Sequence, residues 1–240
     1  MDILAIIPAR GGSKGIPNKN ILRLNGHPLV SYSIAAGLQT PEITRVICST
    51  DSDKIAQIAR DYGAEVPFMR PTHLAEDHSR DFGVFEHALE WLRKNEHYVP
   101  DLVINLRPTS PIRFIDDVQA GIELIRSNPS IDSVRSISEP STPPYKMWTM
   151  DQTRIMKPLL ELSNDSEPYN SPRQELPEVW AQTGALEVIR EKTLSIKKSM
   201  SGEVIAGIMI EANRYSDIDT KDDFVKAEIM LNKMDCIRPK

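Results

Sequence analysis

The chain has 240 residues, enough for one large domain with a substantial core, or for one domain carrying an excursion; two domains would be crowded. Its formal charge of −5, with both signs mixed along the sequence, argues against the basic face of a nucleic-acid platform, so local basic loops imply a small anionic ligand instead. No apolar run approaches the ~20 residues that span a bilayer, Met1 leads into a charged residue rather than a secretory leader, and two cysteines are too few for a disulfide framework or a zinc site, so the expectation is a cytoplasmic protein with no membrane or nucleic-acid partner.

Short apolar runs alternate with helical patterns through the first half. Strands are predicted at Ile3–Pro8, Arg45–Thr50, Glu65–Met69 and Leu102–Leu106, and helices at Pro28–Gln39, Ser52–Tyr62, Arg80–Lys94 and Asp116–Ser127. Such a βαβ series folds by right-handed crossovers into a mostly parallel sheet with helices on both faces and ligands at the carboxyl ends of its strands. The loops beginning at Pro8, Thr50, Met69 and Arg107 should then line one rim. After a run at Ser133–Ser138 the pattern changes: residues 139–177 hold Pro140, Pro143, Pro144, Pro158, Pro168 and Pro172 and no long amphipathic repeat. Tyr145, Met147, Trp148 and Tyr169 supply apolar surface that linkers lack, so the segment reads as an ordered excursion, a lid or an oligomer arm, inserted in a single domain spanning 1–240. Regular structure resumes at Thr183–Ile189 and Val204–Ile210 and closes with a helix from about Lys221 to Lys233.

Two constellations carry chemistry. The first is Pro8-Ala9-Arg10-Gly11-Gly12-Ser13-Lys14-Gly15-Ile16-Pro17-Asn18-Lys19-Asn20, a glycine-rich basic loop fed directly by a buried strand. Its glycines allow several N–H groups to face one anion, and Arg10, Lys14 and Lys19 offer cations to a polyphosphate, although a solvated surface loop has the same composition. The order matches neither Gly-x-x-x-x-Gly-Lys-Ser/Thr nor Gly-x-Gly-x-x-Gly. The second is Asp217-Ile218-Asp219-Thr220 before the last helix. In extended backbone both carboxylates point one way with Ile218 inward, a pair able to share Mg²⁺; the alternative is helix capping by Asp219 or Thr220, with Asp222 and Asp223 serving the helix dipole. Together, basic loop and carboxylate pair are the minimum apparatus for attack on a nucleoside triphosphate.

The residues resemble those of the acylneuraminate cytidylyltransferases. Beyond the opening loop the likeness runs in order through Ser49-Thr50-Asp51, Arg70-Pro71, Leu74-Ala75 with Asp77, His87-Ala88-Leu89, Pro108-Thr109-Ser110-Pro111-Ile112-Arg113, Arg173-Gln174, Leu176-Pro177, Gly184-Ala185 and Asp217-Ile218-Asp219-Thr220. The resemblance implies a three-layer αβα nucleotidyltransferase, Rossmann-like, that moves CMP from CTP to the anomeric hydroxyl of a nine-carbon keto-deoxy sugar acid with Mg²⁺ as cofactor. On that reading Arg10, Gly11, Gly12, Ser13, Lys19 and Asn20 hold the triphosphate, Lys19 stabilises charge on the α-phosphate, and Arg70 sits near the nucleoside unless it is a surface ion pair. Asp217 and Asp219 match metal-binding carboxylates, with Asp219 placed to orient or deprotonate the attacking hydroxyl. Lys146 and Arg173 match basic positions facing the sugar acid, brought in from a dimer-forming excursion, which implies a homodimer.

Departures from the family pattern cluster where the sugar should sit. Arg107 stands where members that make CMP-N-acetylneuraminate usually have Gln, Thr183 where Asn is usual and Ala181 where a basic residue is usual, while Asp81 stands at a nucleoside-side position where a serine is common. Either the positive charge has moved, or the pocket takes another sugar, such as a legionaminic or pseudaminic acid, with Arg107 and Thr183 among its contacts; Arg107 could also be structural, turned toward a carboxylate. His87, with Phe85, Ala88 and Trp91 around it, reads as packed rather than catalytic. The rival readings are a relative using an eight-carbon acid or another nucleotide, and a non-catalytic nucleotide sensor on the same fold.

Overall fold

The computed structural model describes residues 1–240. Ten strands and six helices follow in the order β1 (Ile3–Pro8), β2 (Arg23–Leu24), β3 (His27–Pro28), α1 (Leu29–Gln39), β4 (Arg45–Ser49), α2 (Asp53–Asp61), α3 (Asp81–Glu96), β5 (Leu102–Asn105), α4 (Ile115–Ser127), β6 (Ser133–Ser138), β7 (Trp148–Met150), β8 (Met156–Pro158), β9 (Ala181–Arg190), α5 (Glu191–Ser195), β10 (Ile205–Met209) and α6 (Lys221–Lys233). The main sheet has the order β10-β6-β9-β5-β1-β4, and β9 alone runs antiparallel to its neighbours. No helix is long and apolar enough to cross a membrane.

Alternation along β1 builds the three layers. Ile3, Ala5 and Ile7 pack with residues of α1 and α4, while Leu4 and Ile6 pack with Val84, Phe85, Ala88 and Leu92 of α3 on the opposite face. Each such fully buried aliphatic side chain contributes about 1.5–3 kcal/mol, so a strand with two apolar faces needs helices on both. Gly37 lets α1 settle on β4, because a Cβ there would lie 2.8 Å from Val46 Cγ2. A third cluster joins Ile16 of the opening loop to Ile218, Ala227 and Leu231, and so seats α6 against that loop.

Residues 65–69 form no strand. Glu65 makes a single bridge to Ile47, and Pro67, with no N–H to donate, ends the ladder. The segment still runs beside β4, with the Arg70 N–H donating to the Thr50 carbonyl. Between β6 and β9 the proline-rich residues are ordered as short turns and the β7–β8 hairpin, with the Trp148 and Tyr169 rings in tilted contact at 4.4 Å between centroids. Prolines keep this segment out of the main sheet, and Met147, Met150, Ile155 and Met156 remain exposed on it.

Thr220, not Asp219, caps α6. Its hydroxyl accepts from the Asp223 N–H while the Asp223 carboxylate accepts from the Thr220 N–H, a reciprocal capping box that leaves the Asp219 carboxylate outside the cap. Replacing Thr220 with Ala should cost about 0.5–2 kcal/mol. A lowered urea midpoint with unchanged slope is the expected result, and an unchanged midpoint would show the cap to be idle.

Candidate functional site

The carboxyl ends of β1 and β5 open onto a cleft of about 290 Å³ lined by Arg10, Ser13, Lys19, Asn20, Arg70, Asp77, Asp81, Arg107 and Thr109 among others. Three of the four expected rim loops reach it. The Thr50 loop does not line it, but its Asp51 carboxylate accepts from the Gly11 N–H at 2.8 Å. That N–H is therefore engaged inside the protein rather than aimed at an anion, while Gly12 is exposed. The remaining loop chemistry lies in side chains. The Asn20 amide donates to the Arg10 carbonyl at 2.9 Å and fixes the backbone from which the Arg10 guanidinium projects.

Lys19 follows Asn18, whose left-handed φ of 57° turns the chain inward. Its ammonium donates to the Ile218 carbonyl at 2.5 Å and lies 3.3 Å from Asp219 Oδ1, with the side chain only 11% exposed. Gly15 permits the approach, since a Cβ there would stand 2.7 Å from the Asp219 carbonyl oxygen. The Ile218 N–H donates to the Thr109 carbonyl at 2.8 Å, tying the carboxylate pair to the cleft wall. Ile218 is fully buried and both aspartates are exposed, the alternation that extended backbone dictates.

No cluster of three or more His, Cys, Asp or Glu side chains surrounds this pair. The donors are all hard oxygens. Beside Asp217, the buried Ser110 hydroxyl has no hydrogen-bond partner, and both groups face Gly184, where a Cβ would lie 3.1 Å from Ser110 Oγ and 3.7 Å from Asp217 Oδ2. Two carboxylates with room for water and phosphate oxygens suit Mg²⁺, which is commonly held by one or two carboxylates plus substrate, and do not suit zinc.

Arg70 is no surface ion pair. It is 6% exposed, its Nε donates to Ser49 Oγ at 3.1 Å, and burial lowers its pKa below the usual guanidinium range. Arg107 reaches the cleft but carries two carboxylates, Asp81 at 2.5 Å and Glu187 at 2.7 Å. Burial opposes its charge; Glu187 and Asp81 more than offset that, and its pKa is raised. Thr183 is corrected from sugar contact to core residue: it is 3% exposed, with its hydroxyl 2.6 Å from Ser136 Oγ inside the sheet. Lys146 and Arg173 do not line the cleft of their own chain; Arg173 donates to the Pro140 carbonyl at 2.8 Å and lines a separate cavity of about 460 Å³. His87 is packed edge-to-face on Phe68 at 4.9 Å, and burial lowers its pKa.

Sequence reasoning missed Glu187, which accepts from Arg107, Arg135, Gln182 and Asn105 while 1% exposed. Its signal was present: one carboxylate inside the apolar run Ala185-Leu186-Glu187-Val188-Ile189. Asp77 was noted only as part of a motif. It holds Arg10 at 3.0 Å and Lys14 at 2.5 Å, and Lys14 above all lowers its carboxyl pKa.

The family model described as Cytidylyltransferase matches residues 4–166. The chain is 34% identical over 235 residues to the CMP-N,N'-diacetyllegionaminic acid synthase of Legionella pneumophila, covering 96% of this chain and 97% of that one. It is 31% identical to the N-acylneuraminate cytidylyltransferase of Escherichia coli O18:K1:H7, over 96% of this chain and 52% of that longer protein. The solved structure of CMP:2-keto-3-deoxy-manno-octonic acid synthetase complexed with CTP superposes with a TM-score of 0.71 at 18% identity, covering 97% of this chain and 99% of that one, and shows the shared fold. The chain belongs to the cytidylyltransferase family of enzymes, as the ordered motifs implied.

Because Asp77 occupies two loop cations, a polyphosphate must displace it. Exposed pairs of this kind are weak, so Asp77→Asn should tighten binding of inorganic tripolyphosphate only modestly, roughly twofold to fivefold, in a calorimetric titration. Unchanged or weaker binding would show that Asp77 does not compete.

Proposed function

We propose that the protein transfers CMP from CTP to the anomeric hydroxyl of a sialic-acid-like nonulosonic acid and releases pyrophosphate. The observation that carries this reading is the Lys19 ammonium, set between the triphosphate-type loop and the Ile218-Asp219 backbone and carboxylate. Arg10, Ser13 and Asn20 bind the triphosphate, and Lys19 leans on the α-phosphate as negative charge builds there. The Asp219 carboxylate orients the anomeric hydroxyl and takes its proton. The sugar oxygen forms its bond to the α-phosphorus as the bond to the bridging oxygen breaks, and pyrophosphate leaves with that electron pair. Asp217 and Asp219 are the residues that would hold Mg²⁺, whose chemistry there is to neutralise the triphosphate. Gly11 and Gly12 shape the loop, and Arg70 holds the nucleoside wall through Ser49.

The relatives' names support the substrate class, a sialic-acid-like nonulosonic acid. We read 139–177 as the dimerisation segment of a single cytoplasmic nucleotidyltransferase domain. Its exposed Met147, Trp148, Met150, Ile155 and Met156 support that role, and so does the position of Lys146 and Arg173 away from their own cleft. A second copy would then supply these two cations to the sugar acid.

A coupled pyrophosphate assay with CTP, Mg²⁺ and a panel of nonulosonic and eight-carbon keto-deoxy acids tests the reading. Release with a nonulosonic acid is expected; CTP binding without release for any acid would favour a sensor and contradict it. In the same assay Asp219→Ala should lower kcat at least about 100-fold. Its side chain is 76% exposed, so the fold should survive, and near-normal activity would remove Asp219 from the mechanism.

A further inference from the structure

We infer that Asp81 is a specificity-determining residue that acts through Arg107: together with Glu187 it fixes the Arg107 guanidinium as a charge-neutralised hydrogen-bond donor for uncharged acceptors on the sugar acid, not as an anchor for the sugar's carboxylate. This inference rests on the function proposed above. Asp81 and Arg107, two of the departures from the family pattern, are one unit, since Arg107 NH2 meets Asp81 Oδ2 at 2.5 Å in the wall of the cleft. Arg107 NH1 meets Glu187 Oε1 at 2.7 Å, and the same oxygen takes Arg135 NH1 at 3.1 Å. Two guanidinium groups are thus paired with two carboxylates, and Arg107 has no unpaired charge of its own to offer the sugar's carboxylate.

The geometry is rigid. The Arg107 carbonyl accepts from Arg113 NH2 at 2.7 Å and from the Ser110 N–H at 3.2 Å, while Glu187 is held on β9 between β5 and β6. Asp81 begins α3, so the helix start and the end of β5 are clamped across the cleft. A guanidinium has five N–H donors, and those not taken by the two carboxylates keep fixed directions. A fixed neutral fork suits an acylamido carbonyl or a hydroxyl. Sugar acids that differ in their acylamido groups should therefore be told apart here, and the carboxylate they share should be bound elsewhere.

The test measures kcat and KM for N,N'-diacetyllegionaminic acid, N-acetylneuraminic acid and CTP with the full-length protein and its Asp81→Asn, Arg107→Gln and doubly substituted forms. Asp81 is 41% exposed, so its variant should fold, which circular dichroism checks. We expect each single change to shift the ratio of kcat/KM between the two sugars at least tenfold, mainly through the sugar KM, with the CTP KM within threefold. The double variant should shift the ratio no further than the worse single one, as residues acting as a unit do. An unmoved ratio, CTP and sugar KM rising in step, or multiplying effects in the double variant would overturn the inference while leaving the proposed function intact. Wild-type protein that turned over no nonulosonic acid would overturn both.

Discussion

The contact on which the rest of the site depends is the Lys19 ammonium against the Ile218 carbonyl and the Asp219 carboxylate. It joins positions 199 and 200 residues apart, one on the opening loop and one before the last helix. The bond to the Ile218 carbonyl is buried, where a charge-assisted hydrogen bond is stronger than its surface counterpart, while the Asp219 carboxylate stays 76% exposed. Ile16 and Ile218 share one buried cluster, Gly15 admits the Asp219 carbonyl, and the Thr220–Asp223 box leaves the Asp219 side chain outside the helix cap. Each of these features would be local housekeeping alone. Together they hold a cation and a carboxylate 3.3 Å apart, one from each end of the chain.

Most cations of the cleft rest on partners within the protein. Arg10 and Lys14 rest on Asp77, Arg107 rests on Asp81 and Glu187, and Arg70 donates into Ser49. Such pairing keeps the cationic side chains in place at low energetic cost, so a polyanion meets preorganised charge rather than floppy chains. It also grades the cations. Arg10 and Lys14 are held by a partly exposed carboxylate, whereas Arg107 is bound to a carboxylate sealed in the sheet.

Much of this was legible in the sequence because the signals were local. The apolar run Ile3–Pro8, the last helix and the Asp217-Ile218-Asp219 alternation depend on periodicities of a few residues, and the structure follows them closely. Residues 65–69 misled because their apolar run reads as a strand until Pro67 is weighed. Thr183 misled for another reason: it was placed by position in a motif, and position does not reveal that its hydroxyl faces Ser136. Glu187 and Asp77 were illegible as functional partners because their cations come from distant segments, brought together only by strand order. Long-range pairing of charges is the information that one sequence carries least visibly.

On the proposed function, the opening loop and the carboxylate pair serve one substrate. Crystals soaked with CTP and Mn²⁺, with data collected at a wavelength where manganese scatters anomalously, test it most directly. The expected result is one strong anomalous peak against the Asp217 and Asp219 carboxylates, with triphosphate density running from it past Lys19 onto Arg10 and Ser13. A manganese peak away from those carboxylates, or a triphosphate seated off the loop, would contradict it.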